Sequence, residues 1–223
     1  MPFTEVIIPN FKQDSSTRDV IQKVWPSASD VFHHTASILS GQAGQAVLKN
    51  GMDVRDGLNL MCLFGELKST PFSVAVLVTN CSEEWESQTG FDDFMSSKDM
   101  ETFIGHIGPL LAEPPTSQLF RTNATPRDLA ESPITEIVRL PADSNYPRGS
   151  AWEQLIATIE THSGHAHPSI FGHSVNLEAG LWLGILTWDS EEVRANMSII
   201  TGLTEAGIYS PGCISVAGRM LGF

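Results

Sequence analysis

His173 lies inside Ser169–Leu177, a run of β-branched and apolar residues that reads as a strand. A strand alternates its faces, so His173 groups with Phe171 and Val175. If that face lines a cavity, His173 is placed to act as a general acid/base, since imidazole chemistry needs no cofactor to move a proton. If it does not, His173 is a core or surface histidine. On the next strand candidate, Trp182, Gly184, Leu186 and Trp188 share one face. Aromatics flanking a glycine make a flat slot for a ring system, or they are ordinary core packing against helices. Phe171 and Asn50 complete the candidate ligand-contacting set with Trp182 and Trp188.

Other histidines read more plainly. His162, His165 and His167 read as a polar loop running into a strand, with a spacing that matches no familiar metal site. The expectation is no metal and no cofactor. His33-His34 sit near a helix end, where a capping role is the cheaper explanation. Asp189 follows Trp188 at a strand end and reads as a cap or turn residue. The sequence contains no Gly-x-Gly-x-x-Gly, P-loop, Gly-x-Ser-x-Gly or His-Glu-x-x-His.

Composition narrows the classes. The chain has 223 residues, 41% hydrophobic and 17% charged, with 13 basic against 26 acidic side chains and a formal charge of −13. That balance suits a globular core and repels both phosphate backbones and anionic membranes, so nucleic acid and membrane are excluded as partners. The apolar runs at 58–64 and 181–186 are far shorter than the roughly 18 residues of a membrane helix. The start, Met-Pro-Phe-Thr-Glu-Val-Ile-Ile-Pro, lacks a basic n-region and an apolar h-region. Cys62, Cys81 and Cys213 form no disulfide or zinc pattern. A cytoplasmic location is expected.

The elements that must position these residues recur along the chain. Thr4-Glu5-Val6-Ile7-Ile8 has a near copy in Thr135-Glu136-Ile137-Val138-Arg139. Each is followed by a helix candidate carrying a tryptophan, Trp25 and then Trp152. Ala46–Gly57 matches Ser169–Gly180, which sets Asn50 opposite His173. Ser73–Gln88 matches Leu181–Asn196, with Ser82, Glu83 and Glu84 equated to Ser190, Glu191 and Glu192. Four collinear blocks indicate a tandem duplication. Each half reads strand, helix, strand, strand, helix, strand. In the first half Ser82 caps a helix region carrying Phe91, Phe94, Met95, Phe103, Ile104, Ile107 and Leu111. A short strand, Ser117–Thr122, follows, and Asn123–Pro133 reads as a polar linker. The last block spacing shrinks by 15 residues, which places an insertion in the first half near Leu58–Phe72.

Leu-Thr-Trp-Asp-Ser-Glu-Glu at 186–192 resembles the dimeric α+β-barrel superfamily. Ser82-Glu83-Glu84, Phe94-Met95-Ser96-Ser97-Lys98-Asp99 and Gly108-Pro109-Leu110-Leu111 are similar to its helix region. More closely, the chain resembles fungal proteins with tandem antibiotic-biosynthesis-monooxygenase-like or stress-response A/B-barrel domains, over most of residues 4–122 and 135–197. The first half departs from the pattern at Asn80, where the second has Trp188. The resemblance implies an α+β fold of two ferredoxin-like repeats, residues 1–122 and 134–223 joined by 123–133, forming a pseudo-dimeric barrel. Their sheets are expected to face each other, with an apolar ligand cavity between them. In that family a tryptophan at the Trp188 position can belong to the pocket.

Two functions follow as expectations. One is a cofactor-independent enzyme of secondary metabolism, a cyclase or pericyclase or an oxygenase, acting on an apolar polyketide- or terpenoid-like small molecule. The other is a non-catalytic small-molecule-binding or stress-response protein with the same cavity. Leu58–Phe72 is expected to be an extra strand or a flap over the barrel mouth, and a homodimer is left open.

Overall fold

A computed structural model describes residues 2–49, 52–53, 82–129, 134–142, 148–178, 180–200 and 214–222. Asn50, the Leu58–Phe72 insertion and the three cysteines lie outside the described residues. The described strands are β1 (Phe3–Val6), β2 (Ile38–Lys49), β3 (Met52–Asp53), β4 (Ser82–Trp85), β5 (Gln118–Thr122), β6 (Ile134–Pro141), β7 (Ser169–Ser174), β8 (Leu181–Trp188) and β9 (Ile214–Gly222). The helices are α1 (Ser15–Ala28), α2 (Asp30–His34), α3 (Gln88–Met95), α4 (Lys98–Ile107), α5 (Arg148–Ser163) and α6 (Glu191–Ile200).

All the strands join one antiparallel sheet in the order β9-β6-β8-β7-β5-β1-β4-β2, with β3 on β2. β9 also pairs back onto β2, Val216 opposite Lys49 through Gly222 opposite Gln42, so the sheet closes into a ring. Two sheets packed face to face were expected. The halves instead join edge to edge, through β5 with β7 and β2 with β9. Hydrogen bonding accounts for this, since two separate sheets would leave four edges with unpaired donors and acceptors. Leaving aside the two-residue β3, each half has its four strands in the spatial order fourth, first, third, second.

The described helices lie on the outside of the ring. Val6, Phe120, Ile137, Ile170, Leu183 and Ile185 form a buried cluster with Leu129 and no helix residue, which marks the inner face. Leu129 comes from a 3-10 turn, Pro126–Leu129, and is fully buried. The segment expected to be a polar linker therefore supplies an interior side chain. Gln118 and Arg139, also buried, meet on this face, the guanidinium Nη1 donating to Oε1 at 2.7 Å.

Local capping starts α1, α3 and α4 of the first half. Asp14 accepts hydrogen bonds from the Ser16 hydroxyl and from the hydroxyl and N–H of Thr17, which lower its carboxyl from 3.8 to about 2. Ser87 caps α3 and Ser97 caps α4, each accepting from the N–H three residues on. Ser82-Glu83-Glu84 was expected to open a helix, but it lies in β4. There its backbone pairs with β1 and β2, and Trp85 is buried against Phe91 and Phe94.

The register also corrects the repeat alignment. Trp85 faces Phe3 and Trp188 faces Ile134, so Trp85, not Asn80, is the positional counterpart of Trp188. Gly41 faces Glu83 and Ser169 faces Leu186, which makes Gly41, not Ala46, the counterpart of Ser169.

Candidate functional site

Strand parity decides where the expected site residues point. His173 lies opposite Trp182 in the β7–β8 ladder, and Trp182 packs with Trp152 and Ile159 of α5 on the outer face. His173 and Phe171 therefore face outward, the imidazole exposed and the phenyl ring packed against that helix-side cluster. The expectation that this face lines the barrel interior is corrected. The interior positions of β7 belong to Ile170 and its alternates.

Trp182 and Trp188 are buried on the same outer face, beneath α5 and α6. The slot expected beside Gly184 is filled. A Cβ on Gly184 would lie 2.6 Å from Trp182 and 2.7 Å from Trp152, so the glycine exists to admit two indoles. The Trp188 indole N–H donates to Glu136 at 2.9 Å. Arg194 of α6 closes on the same carboxylate with two hydrogen bonds, at 2.6 and 3.0 Å. All three side chains are buried, an arrangement that holds a helix to a sheet.

The first half builds a related pair with a different outcome. Glu5 is buried, and its carboxylate accepts from the Trp85 indole at 3.1 Å. Where Arg194 stands six residues after Trp188, Phe91 stands six after Trp85 and sets its ring edge-on to the indole. The other Glu5 oxygen accepts a short hydrogen bond from the Ser117 hydroxyl. Ser117 is held by Asn176, whose amide donates to the Ser117 carbonyl and whose oxygen accepts from the Leu119 N–H.

Ser117 lies on the wall of a cleft of about 1000 Å³ between the sheet and the helices of the first half. Phe11, Trp25, Met95, Met100, Phe103 and Ile104 are among its apolar lining residues. Its base is fixed by two segments that zip together: Phe11 bridges Leu111, the Lys12 N–H donates to the Leu110 carbonyl and the Ala112 N–H to the Asn10 carbonyl. Half-buried Met100 and Ile104 lie one helical turn apart on α4, which leaves them free to contact a guest. The arrangement can hold an apolar molecule and present it with a hydroxyl backed by a buried carboxylate.

Sequence reasoning placed Phe91, Phe94, Phe103 and Ile107 in the core, and all are buried. It missed Glu5, Glu136 and Arg194. The available signal was a Thr-Glu pair at the start of two strands that continue into β-branched residues, Thr4-Glu5 and Thr135-Glu136. His167 was read as part of a polar loop but is buried. Asp189 does not cap α6; the Ser190 hydroxyl does, accepting from the Val193 N–H.

No family model matches the sequence, and no curated protein matches it. Solved structures do match in fold. An anthrone oxidase-like protein superposes with a TM-score of 0.57 at 10% identity, covering 99% of this chain and 91% of that one. A candidate monooxygenase from Fusobacterium nucleatum gives 0.54 at 10%, covering 99% and 92%. A haem-binding protein from Thermus thermophilus gives 0.54 at 8%, covering 99% and 91%. The shared feature is the α+β fold with its curled antiparallel sheet. The cleft is a poor match to a haem site, because its described lining residues include no histidine, cysteine or tyrosine to serve as a proximal ligand.

Proposed function

We propose that this chain is an enzyme of secondary metabolism that binds an apolar, ring-bearing small molecule in the first-half cleft and acts on it without a resident cofactor. The observation that carries the reading is the Ser117 hydroxyl on the wall of a mostly apolar cleft, hydrogen-bonded to the buried Glu5 behind it. A buried carboxylate reached through a hydroxyl is suited to take a proton from a weak carbon or phenol acid. The anion then forms beside the guest's own ring system, among mostly apolar side chains.

Oxygenation of an anthrone-type methylene is the reaction favoured here, and the names of the fold neighbours support the choice. The methylene loses a proton to the Ser117–Glu5 pair. The carbanion is oxidised by O2 and gives a hydroperoxide, which expels water and leaves a carbonyl. The sum is CH2 + O2 → C=O + H2O. The same cleft enforcing a reactive conformation would serve a cyclase, which needs no O2.

We further read residues 1–122 and 134–223 as two ferredoxin-like repeats forming a pseudo-dimeric barrel. The common strand order, the two Glu–Trp pairs and the matched caps Ser87 and Ser190 support this reading.

The test is O2 uptake and product formation with an anthrone, in air and under nitrogen. Glu5→Gln and Ser117→Ala are each expected to lower kcat by roughly 10²-fold or more while leaving binding in place. Unchanged turnover in both variants would overturn the assignment. Saturable binding of the anthrone with no product in either atmosphere would favour the second reading, a small-molecule binder, which rests on the apolar walls alone.

A further inference from the structure

We propose that His165, His167 and Asp189 form a binding site for a divalent first-row transition cation of the Zn2+ type. The site stands apart from the cleft and does not depend on the function assigned to it. α5 ends at Ser163, and Gly164, at φ +78°, turns the chain back along the sheet. Because Ser169 pairs with Leu186, residues 165–168 run alongside the end of β8, where Asp189 emerges. One potential ligand atom from each of the three side chains falls within 4.8 Å of the others.

His167 is the anchor. It is only 5% exposed, and its Nδ1 lies 3.2 Å from the Thr187 carbonyl. A carbonyl can only accept, so Nδ1 carries a proton, and the neutral ring that a metal requires presents its lone pair at Nε2. That Nε2 is buried with no hydrogen-bond partner among the described residues. A buried, unpaired acceptor is costly unless something fills its place. The backbone carbonyl on the far nitrogen is the usual support for a metal-bound imidazole. The Glu160 carboxylate accepts from the His167 N–H at 3.2 Å and holds the loop.

His165 repeats the pattern. Its Nδ1 lies 3.2 Å from the Ala166 carbonyl, and its Nε2 faces the Asp189 carboxylate at 2.9 Å. Its ring stacks on that of His167 with centroids 4.5 Å apart. A cation entering between His165 and Asp189 takes the place of the proton they share. Two imidazoles and a carboxylate form a borderline donor set that suits Zn2+ and its neighbours, with the remaining position open to water. Tetrahedral coordination brings ligand atoms to about 3.4 Å from one another. His165 and Asp189 are 49% and 60% exposed and can make that adjustment, while His167 stays fixed.

The test uses the full chain after chelator treatment, titrated with Co2+ and then competed with Zn2+. The wild type is expected to bind one Co2+ with the intense visible absorption of tetrahedral coordination, and Zn2+ is expected to abolish that band and raise Tm. The double variant His165→Gln/Asp189→Asn alters only surface side chains, and its far-UV circular dichroism confirms folding. It should lose affinity by more than the roughly 10–100-fold that follows loss of an outer-sphere partner. Absence of the band in the wild type, or its persistence at equal affinity in the double variant, overturns the site.

Discussion

Two buried glutamates, one in each half of the ring, meet different surroundings. In the second half, Glu136 takes Trp188 and both arms of Arg194, and Trp152 and Trp182 fill the space over Gly184. In the first half, Glu5 takes Trp85 and Ser117, a phenyl ring stands where the guanidinium would, and a cleft opens beside the serine. The two tryptophans carried by α1 and α5 show the same divide. Trp152 is buried, whereas Trp25 is half-buried and lines the cleft. One half uses its glutamate to hold a helix, and the other joins it to a serine on the cleft wall.

The sharpest way to break this comparison is to remove the guanidinium. Arg194→Ala removes two charge-assisted hydrogen bonds from the buried Glu136 carboxylate and is expected to cost roughly 3–5 kcal/mol in urea unfolding. A loss below about 1 kcal/mol, the scale of an exposed pair, would mean that the ion pair does not hold α6 to the sheet. Next in size is Gly184→Ala. The added methyl overlaps two indoles and is expected to destabilise by roughly 1–3 kcal/mol, with a shift in tryptophan fluorescence. An unchanged melting curve would show room beside Gly184 and reinstate the slot.

The smallest effect sharpens the account of the first half. The hydroxyls and amide around Asp14 depress its folded-state carboxyl to about 2, below the 3.8 of the unfolded chain. The stability this contributes is present above about pH 4 and is lost as pH falls toward 2. Asp14→Asn keeps a capping side chain but should flatten that part of the pH–stability curve. The same slope in wild type and variant would assign the acid sensitivity to other carboxylates.

Much of this architecture was legible from one-dimensional pattern. The alternating strands around Val6 and Ile137, the Ser117–Thr122 strand and the helix-face phenylalanines all announce themselves by period. Register did not, because Ser-Glu-Glu occurs at both 82 and 190 and only one copy opens a helix. The other is held as a strand by pairing on both edges, a long-range effect that no local motif reports. Parity misled at His173 for a related reason. Alternation groups residues by face but does not say which face carries the helices. The Glu–Trp pairs were hidden because their partners stand 80 and 52 residues apart.

Closing the ring has a consequence for how the chain comes to be folded. β9, the last of the described strands, seals β2 to β6. During synthesis every other described strand leaves the ribosome before it. Until then β2 and β6 each present an open edge, a ready template for pairing with another chain. The nascent protein is therefore exposed to aggregation until β9 has emerged and paired. Truncations that remove residues 214–222 should yield inclusion bodies even though the cleft and both Glu–Trp pairs are fully encoded.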